Sequence, residues 1–193
     1  MTTNFTARQL QIIQESITLI AEKGIQGLTM KNLASAIGVS EPALYRHFKS
    51  KNDILSGIIE QMKTNTGKNL DLSSQFSVLE KLEKVLLTHT VAFIANPSLT
   101  AIVFSEDIFR SDNVLSAQIK NMMMESQQKF TQIINQGQER QEIRTDIDAN
   151  QLSLYVVGAF RLLVTKWHLL KHNFNLLEEA QNLISAQKIL LTP

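Results

Sequence analysis

The chain has 193 residues and a formal net charge of +1, with 44% hydrophobic and 19% charged residues. This composition is typical of a globular protein and excludes a disordered chain. Because cysteine is absent, a disulfide framework, thiol catalysis and cysteine metal ligands are excluded. With 7 glycines and 3 prolines, the sequence favours an all-α fold. Neither a membrane-spanning run nor a secretory signal is recognisable, so we expect a cytoplasmic protein.

Basic side chains are concentrated in one short segment near the N-terminus. Residues 29–51 carry four lysine or arginine side chains against one glutamate, with His47 in addition. Residues 65–193 carry slightly more acidic than basic side chains. The excess of positive charge therefore indicates residues 29–51 as the segment that meets an anionic partner.

The first predicted helix begins at Thr6, which forms a capping box with Gln9. It ends at Gly24, a residue suited to the left-handed conformation that closes a helix. Apolar residues recur along it every three or four positions, which predicts one buried stripe. The stripe comprises Leu10, Ile13, Ile17, Ile20 and Ala21.

The next two predicted helices are joined by the three-residue turn 38–40. Thr29 caps the first of them, Ser40 caps the second, and Pro42 lies in the first turn of the second. The residues predicted to point inward are Leu33, Ile37, Val39 and Leu44. This pattern predicts a helix-turn-helix whose recognition helix follows Ser40.

A generic corner in a small helical bundle is the alternative interpretation of the same helices. Hydroxyl and cationic side chains, however, are gathered at the helix starts and on the outer face of the second helix. These are the groups that hold phosphates, so the pattern favours DNA binding. Ser50, which forms a capping box with Asp53, then begins a helix that extends to Met62. We place the domain boundary between residues 62 and 63.

Residues 63–193 predict five further helices. Their expected ranges are 77–96, 98–109, 112–137, 148–172 and 176–190. The helix capped by Asp148 is expected to be the longest, and it is apolar nearly all round between Leu152 and Leu170. Such a helix is buried on every face, so we expect one face in the core and another against a partner. The last helix carries a stripe at Leu177, Ala180, Leu183, Ile184 and Ile189.

These two helices suggest a homodimer formed as a four-helix bundle. The candidate interface residues are Tyr155, Gly158, Leu162, Leu183 and Ile184. Aromatic and methionine side chains of the same region could also line a small-molecule pocket, although each could equally be ordinary core. The candidate pocket residues are Phe93, Phe104, Phe109, Met123, Phe130, Phe160 and Trp167.

Charged and histidine side chains of this region give weaker signals. Arg161 interrupts the apolar helix, so we expect either a buried partner, Glu106 or Asp107, or an anionic effector. His168 and His172 have metal-ligand spacing, but no third ligand is identifiable. Since no phosphate loop or nucleophile motif occurs either, we expect no metal, no cofactor and no catalytic residue.

The segment from Thr29 to Lys51 resembles the DNA-binding signature of the tetracycline-repressor (TetR) family. The tract Leu44-Tyr45-Arg46-His47-Phe48, followed by Ser50-Lys51, carries most of that resemblance. The match covers residues 6 to about 60, and Pro42 departs from it, because many members have glycine or another small residue there. The resemblance implies an all-helical homodimer that binds near-palindromic double-stranded DNA in successive major grooves.

The resemblance also implies contacts at named positions of this chain. Phosphates would be held by Thr29, Tyr45, His47 and Lys51, with Ser40 as a further candidate, and base edges would be faced by Glu41, Pro42, Ala43 and Arg46. Lys31, in the same basic segment, completes the candidate DNA-binding set. The family implies a repressor released by a small apolar or amphipathic effector. The alternatives are an activator, or a nucleoid or division factor without an effector.

Overall fold

The computed structural model describes residues 5–67, 75–103 and 113–193, and these ranges contain helices and no strands. The helices are α1 (Ala7–Gly27), α2 (Met30–Ile37), α3 (Glu41–Tyr45), α4 (Lys51–Gly67), α5 (Val78–Ala95), α6 (Leu99–Val103), α7 (Asn113–Glu139), α8 (Ala149–Leu169) and α9 (Leu176–Leu191). The described residues form two compact units, 5–67 with 98–103 and 113–120, and 75–97 with 121–193. The all-α prediction is confirmed. No described helix is long and apolar enough to span a membrane.

Helix α1 begins as the sequence predicts, with the Thr6–Gln9 capping box in place. Gly24 does break the helix, with φ 69°, but the chain then makes a further turn to Gly27. That extra turn buries Ile25 and Leu28, which are 4% and 1% exposed. The predicted end at Gly24 was therefore wrong by one turn, because two apolar side chains still had to reach the core.

The buried face of α1 is wider than the predicted stripe. Ile13, Ile17 and Ile20 are buried as predicted, whereas Leu10 and Ala21 are exposed. The additional buried residues are Ile12, Ser16 and Leu19. Helix α1 contacts three helices, α2, α4 and α6, and so buries a wider surface than a helix with one neighbour.

Local capping bonds mark the starts of α2, α4 and α5. The Thr29 hydroxyl accepts a hydrogen bond from the Asn32 amide at 3.0 Å. Ser50 accepts from the Asp53 amide at 3.1 Å, and Ser77 forms its capping box with Glu80. Helix α4 continues past Met62 to Gly67, so the polar sequence there did not end it.

Among the described helices α7 is the longest, with 27 residues against 21 for α8. The prediction that the Asp148 helix is the longest and reaches His172 was wrong. Asp148 does cap it, accepting from the Asn150 amide at 2.9 Å. The helix stops early because Lys171 and His172 adopt positive φ values of 53° and 61°. The predicted helix ends at residues 109 and 112 lie outside the described residues.

Helix α9 buries a different stripe from the one predicted. Ala180 and Ile184 are buried as expected, but Leu177 and Ile189 are 36% and 77% exposed. The buried line is Leu176, Ala180, Ile184, Gln187 and Leu191. It faces α5 and α8, which both contact α9. The apolar spacing alone was compatible with either side of the helix.

Candidate nucleic-acid interface

The helix-turn-helix is built from α2, the turn 38–40 and α3. Gly38 closes α2 with φ 75°, a conformation that costs an L side chain about 1–2 kcal/mol. Its amide and that of Val39 bond to carbonyls of the last turn of α2, at 3.3 and 2.9 Å. Leu33 and Leu44 are fully buried, whereas Ile37 and Val39 are half-buried. The apolar residues therefore fix α3 against the unit and leave its polar side outward.

Most of the predicted DNA-binding side chains lie at the surface of residues 29–51, which we term the DNA-reading segment. Tyr45 is 49% exposed, and Ala43, His47 and Lys51 are half-buried. The exposed members are Thr29, Lys31, Ser40, Glu41, Pro42, Tyr45 and Arg46. Phe48 is 6% exposed, which confirms its predicted place in the core. The segment thus presents hydroxyl groups, backbone amides at helix N-termini and cationic side chains on one short stretch.

Two hydroxyls of the segment differ in their local bonding. Thr29 uses its oxygen as a helix cap, which leaves its O–H as a donor. Ser40 stands at the N-cap position of α3 but makes no side-chain capping bond, contrary to its predicted capping role. Both are exposed and oriented at helix starts, where a phosphate oxygen would accept a hydrogen bond.

Lys51 is bonded within the chain. Its ammonium Nζ donates to the backbone oxygen of Ile25 at 2.7 Å. Burial lowers the pKa of Lys51 from its usual range. The resemblance implies a phosphate contact at this position, yet the ammonium is already partly dehydrated and hydrogen-bonded to α1.

A second side chain links α1 to the DNA-reading segment. The Gln9 side-chain amide donates from Nε2 to the His47 backbone oxygen at 3.3 Å. Asn32 adds a shorter link, donating from Nδ2 to the Gly27 oxygen at 2.9 Å. Sequence reasoning assigned Gln9 only to the capping box, because the partner is 38 residues away and leaves no local signal.

The second unit exposes an apolar face on α8. Leu152, Val156, Phe160, Val164 and Trp167 form its buried side. The opposite side carries Leu154, Tyr155, Gly158, Leu162 and Leu169, and we term this set the α8 apolar face. Four of its side chains are between 55% and 72% exposed. The expected core-facing side is confirmed, and the expected contact of the other side with a partner stays a prediction.

The remaining predicted interface residues lie on α9. Leu183 is half-buried, and Leu190, seven residues later on the same helix, is exposed. Ile184 is 3% exposed and belongs to the core of its own chain. A partner helix could not reach its side chain, so the assignment of Ile184 to the interface was wrong.

The predicted pocket residues are spread over several environments. Phe130, Phe160 and Trp167 are buried, Phe93 is half-buried and Met123 is 43% exposed. Phe104 and Phe109 lie outside the described residues, as do Glu106 and Asp107, the partners expected for Arg161. A gap of about 10 Å³ lies between α5, α8 and α9. A groove of about 440 Å³ is lined by Met124, Gln127, Gln128, Thr131, Gln132 and Asn150.

The histidine pair at the end of α8 forms an aromatic cluster. The rings of His168 and His172 are 5.9 Å apart between centroids, and His172 lies 4.3 Å from Trp167. Burial, and then the neighbouring His168, lowers the pKa of His172. In the part of the chain that the structure describes, no group of three or more metal-ligating side chains occurs.

Two family models match the chain. The model described as bacterial regulatory proteins, tetR family, matches residues 12–58. The model described as YsiA-like protein, C-terminal region, matches residues 51–190, which is well over half of the chain. The chain belongs to the TetR family. It is a DNA-binding transcriptional regulator of the helix-turn-helix type, in a family that dimerises and is regulatory and not enzymatic.

Individual relatives agree with this assignment. The nucleoid occlusion factor SlmA of Actinobacillus pleuropneumoniae is 31% identical over 154 residues, covering 78% of this chain and 76% of that protein. The HTH-type transcriptional regulator AcrR of Shigella flexneri is 25% identical over 181 residues, covering 90% and 84%. The fold is similar to that of the regulator FadR from Bacillus subtilis in complex with stearoyl-CoA, with a TM-score of 0.78, 21% identity and coverage of 92% and 96%.

Proposed function

We propose that this TetR-family regulator is a cytoplasmic repressor that binds a near-palindromic operator as a homodimer. A small apolar or amphipathic effector would release it from that operator. The observation that carries the proposal is the DNA-reading segment, in which a buried apolar framework holds exposed hydroxyl and cationic side chains. Positive charge at this surface attracts the phosphate backbone, and the exposed end of α3 is available for base edges.

Each candidate contact residue has a role set by its chemistry. Thr29, Lys31, Ser40, Tyr45 and His47 would contact phosphates, because hydroxyls, imidazole and ammonium groups donate to phosphate oxygens. Glu41, Pro42, Ala43 and Arg46 would face base edges. Arg46 is the strongest candidate for specificity, since a guanidinium can bond to guanine with two donors.

The α8 apolar face supports the proposed dimer. Tyr155 and Leu162 are 56% and 70% exposed in the single chain. Gly158 lies between them with open space around its Cα, which lets a partner backbone approach closely. With Leu183 on α9, these residues would form the interface of a four-helix bundle.

The effector proposal rests on the aromatic side chains of the second unit. Phe93, Phe130, Phe160 and Trp167 are suited to contact an apolar molecule. The structurally similar FadR is described in complex with stearoyl-CoA, an amphipathic thioester. The gap between α5, α8 and α9, about 10 Å³, has room for one water at most, so an effector would have to displace core side chains there.

Fluorescence anisotropy with the full-length chain tests this function. A duplex is first selected from a random pool by the chain itself, and then titrated in the presence of acyl-CoAs and free fatty acids of increasing length. We expect one chain-length range to weaken binding at least tenfold, which requires about 1.4 kcal/mol of coupling. Ala159→Phe, which adds bulk at a half-buried position of α8 next to Phe160, should abolish that response without weakening DNA binding. Val91→Phe, at an exposed site on α5, should leave the response intact. If no compound changes the affinity for DNA, the effector part of the proposal is refuted.

The relationship to SlmA favours one second candidate, a nucleoid occlusion factor that binds many chromosomal sites. Mapping the sites bound in cells separates the two functions. A repressor would occupy one or a few promoters, and a nucleoid occlusion factor would occupy many dispersed sites.

A further inference from the structure

Three side-chain hydrogen bonds join α1 to the DNA-reading segment, and two of them, from Gln9 and Lys51, connect opposite ends of α1 to the part of the segment that follows Tyr45. We propose that Gln9 and Lys51 are positioning residues for DNA recognition, and that Lys51 acts through this bond and not as a phosphate contact. The proposal rests on the placement of the DNA contacts in residues 29–51. It differs from the role that the family resemblance implies for Lys51.

Both ends of the Gln9 amide are occupied. Its Oε1 accepts from the Thr6 amide at 3.0 Å and from the Thr6 hydroxyl at 3.1 Å. Its Nε2 donates to the His47 oxygen at 3.3 Å. The bond from the Thr6 backbone amide, which does not depend on the Thr6 hydroxyl, fixes the direction of the Gln9 amide. The Gln9 amide in turn fixes the peptide that follows His47, one residue beyond Arg46, the main candidate for base contact.

The Lys51 bond depends on the break in α1. Gly24 leaves the helical conformation with φ 69°, so the regular hydrogen-bond ladder is interrupted there. The Ile25 oxygen accepts only a long backbone bond, from the Leu28 amide at 3.3 Å, and the Lys51 ammonium supplies a second donor at 2.7 Å. A hydrogen bond from a charged donor is stronger than a neutral one.

The two bonds lie far apart along α1. Gln9 and Ile25 are 16 positions apart, or about 24 Å at the rise of an α-helix. A helix bonded at both ends resists rotation of the segment it supports. Base contacts need that fixed orientation, because they require side chains to meet particular base edges, whereas attraction to the phosphate backbone is far less dependent on orientation.

A matched set of variants of the full-length chain tests the proposal. Gln9→Met and Lys51→Met keep side-chain length and remove the bonds to His47 and Ile25. Thr6→Ala removes the capping hydroxyl but leaves the Gln9 bridge, and Lys31→Met removes an exposed cation of the same segment. The probes are a fluorescein-labelled duplex selected from a random pool by the unmodified chain and a shuffled duplex of equal composition. Affinities are measured at several salt concentrations, at a temperature below the lowest thermal unfolding midpoint of the set.

We expect Gln9→Met and Lys51→Met to lower affinity for the selected duplex about tenfold, or about 1.4 kcal/mol, and affinity for the shuffled duplex less than twofold. The salt slope of Lys51→Met should equal that of the unmodified chain. Lys31→Met should weaken both duplexes alike and reduce the slope by about 0.9, as the loss of one phosphate contact does. Thr6→Ala should lower the unfolding midpoint and leave the ratio of the two affinities unchanged.

Two outcomes would overturn the proposal. If Lys51→Met reduces the salt slope as Lys31→Met does, Lys51 is a phosphate contact. If Gln9→Met changes the affinity ratio no more than Thr6→Ala, the amide serves only as a helix cap. A failure of the unmodified chain to prefer any selected duplex would be a different result, since it would refute the sequence-specific binding on which the proposal depends.

Discussion

Leu162 offers a direct test of the proposed dimer. It is 70% exposed in the single chain, at the centre of the α8 apolar face. Complete burial of a leucine side chain contributes about 1.5–3 kcal/mol, so covering this exposed part contributes about 1–2 kcal/mol per chain. A two-fold interface buries the residue twice. We therefore expect Leu162→Ala to weaken the dimer by about 2–4 kcal/mol, or about 30- to 900-fold in Kd.

Sedimentation velocity over a range of protein concentrations measures this change. Val91→Ala is the matched control, because Val91 is also exposed, at 55%, but lies on α5 and not on the α8 apolar face. Its dimer Kd should equal that of the unmodified chain. An unchanged Kd in Leu162→Ala, or an equal loss in Val91→Ala, would refute the placement of the interface.

Three further predictions concern DNA contacts, a turn and pH. Lys31→Ala should weaken binding to all duplexes alike. Arg46→Ala should relax the preference at one base position, at a cost of about 1–3 kcal/mol. Equal losses of affinity for selected and shuffled duplexes in Arg46→Ala would make Arg46 a phosphate contact. Gly38→Ala meets no atom within 4 Å but must adopt φ 75°, so thermal unfolding should show a loss of about 1–2 kcal/mol, and no loss would contradict the strain. Burial, and then Lys129, lowers the pKa of His89. The unfolded chain therefore binds this proton more readily, so stability should be full above about pH 6.5 and fall on acidification; His89→Gln should reduce the difference in Tm between pH 7.5 and 5.5, and an undiminished difference would count against His89.

Local features of the fold could be predicted because their partners are close in sequence. Thr6 with Gln9, Thr29, Ser77 with Glu80, and Asp148 all satisfy amides within three positions. Residue type and spacing are therefore sufficient to predict these capping bonds. The break at Gly24 was predicted for the same reason, but the extra turn after it depends on burial of Ile25.

Features that depend on tertiary neighbours could not be predicted. The links Gln9–His47 and Lys51–Ile25 join residues 38 and 26 positions apart. The buried stripe of α9 was wrong because the spacing does not show which side meets α5 and α8. The end of α8 was placed too late, since Lys171 and His172 adopt left-handed conformations without a glycine to signal them.

In the proposed function, the DNA-reading segments of a dimer read two inverted half-sites. Sequencing the duplexes that the full-length chain retains from a random pool tests it most directly. The enriched sequences should contain inverted repeats whose centres lie about one helical turn apart, roughly 34–36 Å. Retained duplexes with no enriched sequence, or with a single unrepeated half-site, would contradict the claim.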